Sequence, residues 1–194
     1  DHFLRSVPSD EIDGSRGYAL FVVARFNGKG RRNEILFYHQ DTIGVIRWAA
    51  DGRMVLGQNV AGSWGDRIFT SRPLADGTPL VIVARWRPPQ ATLDVYAASG
   101  LVASGKVKLA GSIRDGRRPL FLGGYTLKKG VVPNDGERLN ADLGEVLFYQ
   151  RSISDTEHHQ VTNYLRRKWL SRADKPLALF SQAMLNLSEF MYIE

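Results

Sequence analysis

The chain has 194 residues, a formal net charge of +6 and a pI near 9.7. Its 43% hydrophobic and 24% charged content is ordinary for a globular protein, which excludes disordered and fibrous classes and suits one domain with a two-layer core. Cysteine is absent, which excludes disulfides, thiol catalysis and cysteine-ligated zinc or iron–sulfur sites.

Short apolar stretches separated by turn residues recur at roughly 8–12-residue spacing, a pattern typical of a β-sandwich or barrel. Asn27-Gly28 and Asp51-Gly52 predict tight hairpin turns because both central residues take positive φ. Pro88-Pro89 has no backbone donors, so we expect a hairpin tip there. The predicted strands cover residues 17–26, 33–40, 43–49, 53–56, 66–71, 80–87, 92–98, 102–109, 120–125 and 144–149.

The apolar patterns of two strands predict different burial. Residues 80–84 are continuously apolar, which indicates a strand covered on both faces. In residues 92–98, Leu93 and Val95 alternate with Asp94 and Tyr96, which predicts one buried and one exposed face.

Ser154 begins the one helix predicted for the main body. Ser154 and Glu157 form a capping-box pattern, which satisfies two otherwise unpaired backbone donors. An apolar stripe at helical spacing follows, and it predicts a helix over 154–169 that packs on the sandwich. The stripe consists of Val161, Tyr164, Leu165, Lys168 and Trp169.

The tail, residues 171–194, has a different composition. Asp174 can cap a helix, and apolar residues then recur at a spacing of three and four, which predicts an amphipathic helix. Its stripe consists of Leu177, Phe180, Met184, Leu187 and Met191. An exposed apolar stripe becomes an association site, so we expect the tail to dock into another chain or oligomerise; the alternative is that it folds back on its own sandwich.

Residues 142–170 carry a recurrent pattern of a Gly-Glu strand, Tyr-x-Arg, Ser-Asp-x-Glu and a helix ending in Tyr-Leu-x-x-Lys-Trp. The residues that match it are Gly144, Glu145, Tyr149, Arg151, Ile153, Ser154, Asp155, Glu157, Tyr164, Leu165, Lys168 and Trp169. This segment resembles the closing signature of laminin-G-like domains of bacterial surface proteins, in the concanavalin-A-like lectin/glucanase superfamily. The resemblance implies an all-β, two-sheet antiparallel jelly-roll sandwich over residues 1–170, and binding of a sugar or a protein, often through edge loops.

The glycine-rich loop before Arg67 holds the candidate ligand site. Trp64 offers a flat apolar face for stacking on a sugar ring, and Ser63, Asp66 and Arg67 can hydrogen-bond its hydroxyls. The alternative is that Trp64 folds back onto the core as an anchor of the loop.

Patterns for catalysis and metal binding are weak. Sandwich glycosidases need paired carboxylates, but Glu11 and Asp13 lack a third acid on their face, and we interpret Glu145 as a strand-edge charge. We therefore expect no enzyme activity and no cofactor, with calcium at Asn134, Asp135 and Asp142 as the one candidate, since family members use such oxygen sites.

These patterns favour a non-catalytic recognition module on an extracellular, cell or virion surface. The alternative is a structural protein whose sandwich and tail build a larger assembly, and a sandwich glycosidase is less favoured. The basic charge favours acidic partners; we expect neither a membrane span nor a nucleic-acid partner. Because the sequence opens at Asp1 without an initiator Met, we expect a processed chain or a piece of a longer product.

Overall fold

In the computed structural model of this chain, the described residues are 4–6, 16–28, 33–39, 43–48, 50–58, 67–108, 120–124, 138–171 and 190–191. The strands are β1 (Leu4–Ser6), β2 (Tyr18–Phe26), β3 (Glu34–His39), β4 (Ile43–Arg47), β5 (Met54–Gln58), β6 (Arg67–Phe69), β7 (Leu80–Arg87), β8 (Gln90–Ala97), β9 (Gly100–Lys108), β10 (Leu120–Leu122), β11 (Ala141–Tyr149) and β12 (Phe190–Met191). Helix α1 covers Asp155–Leu165, and a π-helical turn continues it over Arg166–Leu170.

Within the described residues, the strands form two antiparallel sheets. The order is β12-β1-β10-β3-β4-β5-β6 in the seven-stranded sheet and β11-β2-β7-β8-β9 in the five-stranded sheet. Every strand predicted from the sequence overlaps an observed strand. The predicted all-β, two-sheet jelly-roll sandwich is confirmed.

Two of the three predicted hairpin turns join strands that are neighbours in a sheet. The hairpin predicted at Asn27-Gly28 is wrong, because β2 lies in the five-stranded sheet and β3 in the seven-stranded sheet. Gly52 has φ +76° between β4 and β5, and its amide donates to the Trp48 carbonyl at 2.8 Å. Pro88 and Pro89 connect β7 to β8, where Arg87 pairs with Gln90. Because the turns at Asp51-Gly52 and Pro88-Pro89 each join paired strands, these two hairpins follow from local chemistry alone.

Two apolar layers bury the five-stranded sheet on both faces. Leu80, Ile82 and Ala84 of β7 point into the core between the sheets, whereas Val81 and Val83 contact the layer under the helix. The predicted burial of residues 80–84 on both faces is confirmed. The layer under the helix consists of Ala19, Phe21, Val23, Val81, Val83, Ile153, Leu165 and Leu170.

The outer face of β8 is less exposed than predicted. Leu93 and Val95 are buried as expected, but Asp94 and Tyr96 are only partly exposed. The helix covers this end of the strand: the rings of Tyr96 and His158 lie 6.3 Å apart, and the Arg166 guanidinium lies 5.9 Å from the Tyr96 centroid. The predicted alternation therefore holds, but the helical layer reduces the exposure of the outer face.

The capping box begins helix α1 as predicted. The Glu157 amide donates to the Ser154 hydroxyl at 3.1 Å, and the Ser154 amide donates to the Glu157 carboxylate at 2.8 Å. The buried positions of the helix are His158, Thr162 and Leu165.

The end of the tail differs from its prediction. Phe190–Met191 form strand β12, which pairs with β1 through Arg5 and Met191, so Met191 lies in a strand and not in the predicted helix. An edge strand has unpaired backbone groups, and β12 satisfies those of β1. The other predicted tail residues, Leu177, Phe180, Met184 and Leu187, lie outside the described residues. In the part of the chain that the structure describes, no helix has the length and apolar character to cross a membrane.

Candidate ligand-binding site

Four side chains form an arginine–aromatic ladder on the outer face of the seven-stranded sheet: Arg67, Trp48, Phe69 and Arg53. Register places them there. The Trp48 amide donates to the Arg53 carbonyl at 2.8 Å, and Phe69 pairs with Val55 on β5. Because Met54 and Leu56 point into the core, the alternate positions of β5 face outward.

In the ladder, the two aromatic rings contact each other and each ring also contacts one arginine. The Arg67 guanidinium carbon lies 5.4 Å from the Trp48 ring centroid, and the Arg53 guanidinium carbon lies 4.7 Å from the Phe69 centroid. Trp48 and Phe69 meet edge to face, with centroids 6.0 Å apart. These are favourable cation–π and aromatic geometries, so each ring restricts its arginine to one orientation.

The two arginines of the ladder differ in charge balance. Arg53 pairs with Asp51, whose carboxylate accepts from its Nε at 2.6 Å and from its backbone amide at 3.0 Å. Arg67 is exposed and contacts the Trp48 ring, but it has no anionic partner among the described residues. The ladder therefore presents one unneutralised cation.

The ladder includes one of the residues that the sequence predicted for the site. Arg67 begins β6, directly after the loop that contains Ser63, Trp64 and Asp66, and these three lie outside the described residues. The sequence analysis missed Trp48, Arg53 and Phe69. The alternation of residues 66–71 is the signal that could have placed Phe69 on the same face as Arg67. The pairing of the strands, which brings the four side chains together, could not be read from any short segment.

Asp142 is the one described member of the predicted calcium group. Its Oδ2 accepts from Arg25 Nε at 2.9 Å and from Arg25 Nη2 at 2.5 Å, so its charge is already balanced. Asn134 and Asp135 lie outside the described residues. Within the described ranges, no three His, Asp or Glu side chains converge in a way that could hold a metal ion.

Glu145 lies on the edge strand β11, but it is not a solvated charge, because it holds the helix on the sheet. Its carboxylate accepts from Lys168 Nζ at 2.9 Å, from Trp169 Nε1 at 2.9 Å and from the Tyr164 hydroxyl at 3.2 Å. Burial raises the pKa of Glu145, but the hydrogen bonds from Lys168, Trp169 and Tyr164 outweigh burial and hold it below its ordinary value. The bond to Glu145 also explains why Tyr164 is 46% exposed and lies beside the buried stripe.

Other residues of the closing signature have structural roles as well. A Cβ added to Gly144 would lie 3.1 Å from the Trp169 ring and 3.1 Å from Val23, so glycine allows the indole to pack on β11. Arg151 pairs with Glu157 at 2.6 Å and supports the capping box. The described contacts of this signature attach α1 to the sandwich.

His158 is a core residue of the helix. It is 4% exposed, and its ring stacks on Phe21 with centroids 6.1 Å apart. Burial, together with the nearby charges of Arg85 and His159, lowers the pKa of His158 to about 4. His158 is therefore neutral at physiological pH.

Comparison with known proteins identifies the fold. No family profile matches the chain, and no curated protein matches it in sequence. Solved structures do match. A native heptameric SAP-like pentraxin from Limulus polyphemus has a TM-score of 0.57 at 16% identity, over 82% of this chain and 73% of the pentraxin.

Two further structures are similar. Domains LG4-5 of the mouse laminin alpha1 chain have a TM-score of 0.56 at 16% identity, over 79% of this chain. A putative carbohydrate binding protein from Bacteroides ovatus has a TM-score of 0.59 at 10% identity, over 82% of this chain. The chain spans 40% of the laminin structure and 44% of the Bacteroides protein. The chain therefore shares the sandwich fold of these pentraxin, laminin G and carbohydrate-binding structures, in agreement with the predicted fold class.

Proposed function

We propose that this chain is a non-catalytic recognition module that binds a glycan on an extracellular or virion surface. The observation that carries the proposal is the position of Arg67. It is exposed, has no anionic partner among the described residues, lies over Trp48 and directly follows the loop that contains Trp64. A cation fixed on an aromatic ring, with a second tryptophan three residues earlier in the sequence, supplies both polar and apolar groups for a sugar.

The role of the loop is part of this proposal. Trp64 stacks on a sugar ring, and Ser63 and Asp66 accept from its hydroxyls while Arg67 donates. The similar Bacteroides ovatus protein is described as a putative carbohydrate binding protein, which supports a glycan over a protein ligand at the level of the fold.

A glycan array with the full chain tests the proposal. Trp64→Ala should weaken binding of the selected glycans about threefold to tenfold, because stacking contributes on the order of 0.5–1.5 kcal/mol beyond burial. Its free energy of unfolding should stay unchanged. Tyr164→Ala is the matched control, since it removes an exposed aromatic ring from the helix and should leave binding intact.

Two outcomes contradict the proposal. A loss of several kcal/mol of stability in Trp64→Ala would place Trp64 in the core. A blank array together with a stable oligomer in light scattering would favour the alternative of a structural assembly protein.

A further inference from the structure

We propose that Arg67, held over Trp48, receives the carboxylate of an acidic saccharide. This inference rests on the proposed function and specifies the class of glycan that the ladder binds.

The local structure of β5 and β6 orients Arg67 before any ligand arrives. Arg67 pairs with Gly57, which has no side chain, so the arginine can cross β5 and lie on Trp48. A guanidinium whose rotamers are already restricted loses little entropy on binding. Its N–H groups lie in one plane and match the two oxygens of a carboxylate.

One of the two positive charges of the ladder has no neutralising anion among the described residues. Asp51 already neutralises Arg53, whereas Arg67 is unneutralised among the described residues. The net charge of +6 attracts acidic polymers to the chain as a whole. A ligand with a negative group at Arg67 completes the charge balance of the ladder.

The rings of the ladder favour a saccharide that carries this anion. Arg67 occupies one face of Trp48, so a neutral sugar would have to displace the guanidinium to stack on that face. An acidic sugar binds the guanidinium where it lies and places its apolar C–H groups against the half-buried rings of Trp48 and Phe69. Arg67 is exposed and Trp48 and Phe69 are half-buried, so the ladder is accessible to a saccharide from solvent.

The test uses three acidic probes and their carboxyl-reduced counterparts: oligogalacturonate, hyaluronan oligosaccharide and sialyllactose. Binding to the full chain is measured by calorimetry at two salt concentrations. We expect at least one acidic probe to bind about tenfold or more tightly than its reduced form, as charged hydrogen bonds of this kind provide. Arg67→Ala should abolish that preference, and Arg67→Lys should retain only part of it because a point charge replaces the planar fork.

Arg167→Ala is the matched control. It removes the same charge from an exposed position on the π-helical turn, across the sandwich from the ladder. It should keep the preference for the acidic probe. Equal losses in Arg67→Ala and Arg167→Ala would overturn the inference, since they would mean attraction by net charge alone.

The remaining outcomes separate this inference from the proposed function. Equal binding of an acidic probe and its reduced form, or binding of neutral glycans alone, overturns the carboxylate at Arg67 and leaves a glycan-binding module. Absence of binding to every acidic probe likewise overturns the inference, and a blank glycan array contradicts the proposed function as well.

Discussion

Trp169 donates its indole N–H to the carboxylate of Glu145 at 2.9 Å, and this bond joins the end of the helical segment to strand β11. The Glu145 side chain is 16% exposed, so water replaces the bond poorly when it is lost. Lys168 shares the same carboxylate. One acid thus anchors two neighbouring residues of the π-helical turn.

Glu145→Ala should lower the free energy of unfolding by about 1–3 kcal/mol, because it leaves the half-buried Trp169 N–H without an acceptor. Glu145→Gln keeps an acceptor and should cost less. Urea denaturation measures the loss, and hydrogen exchange of the α1 amides locates it. Equal stability of wild type and Glu145→Ala would mean that the helix is held by its apolar contacts alone.

Gly144→Ala should destabilise the fold by about 1–3 kcal/mol, because the new methyl group meets the Trp169 ring on one side and Val23 on the other. The cost should shrink in a Trp169→Leu background, where one of the two neighbours is gone. A double-mutant cycle in urea measures this coupling. Additive effects would show that Gly144 and Trp169 act independently.

His158 should make stability depend on pH between about 6.5 and 4. Its pKa is about 4 in the folded chain and 6.5 in the unfolded chain, so as pH falls through 6.5 the unfolded state takes up a proton first. Stability is therefore complete above 6.5 and decreases towards pH 4, by up to about 3 kcal/mol. The groups that act on its charge are Arg85, His159 and Asp155.

His158→Leu should remove this component of the pH dependence, which urea denaturation between pH 7.5 and 4 would measure. His159→Gln is the matched control, because His159 is exposed and its ring contacts the backbone oxygen of Asp155. It should keep most of the wild-type pH dependence, because burial, the largest cause of the His158 pKa shift, stays in place. Parallel profiles for wild type and His158→Leu would assign the acid loss to carboxylates.

The tail, residues 171–194, remains a proposed docking segment. Truncation after Lys175 should lower the oligomeric mass in light scattering and also remove β12 from the edge of β1. Met184→Asp in the full chain leaves both strand residues in place, so it separates these effects and should lower the mass alone. If the truncated chain keeps its mass and melts much earlier, the tail belongs to its own sandwich.

The sequence predicted features that depend on neighbouring residues. The Asp-Gly and Pro-Pro turns, the capping box at Ser154 and the apolar run of residues 80–84 each contain their structural cause within a few positions. These features determine the strand order of the hairpins and the beginning of the helix. They were sufficient to indicate the fold class. The course of the chain at Asn27-Gly28 was not predictable in this way, because the chain passes from one sheet to the other between β2 and β3.

The role of Glu145 and the composition of the ladder were not predictable in the same way. Glu145 gains its partners only when a helix from about 20 residues later lies on β11. Trp48 and Arg67 meet through the pairing of β4, β5 and β6, which no short motif encodes. The signal that could have identified the role of Glu145 is a glutamate on the strand that precedes a helix ending in Tyr-x-x-x-Lys-Trp.

Helix α1 and its π-helical turn cover the outer face of the five-stranded sheet, so the two outer faces of the sandwich differ. The apolar layer beneath them contains the outward-facing residues of β2 and β7. These residues are buried and therefore not accessible to a ligand. Changes there are constrained by packing, whereas the exposed Arg67 and the half-buried Phe69 on β6 can be substituted with less effect on the core. Relatives of this chain that recognise different ligands should therefore diverge on one broad face and agree on the other.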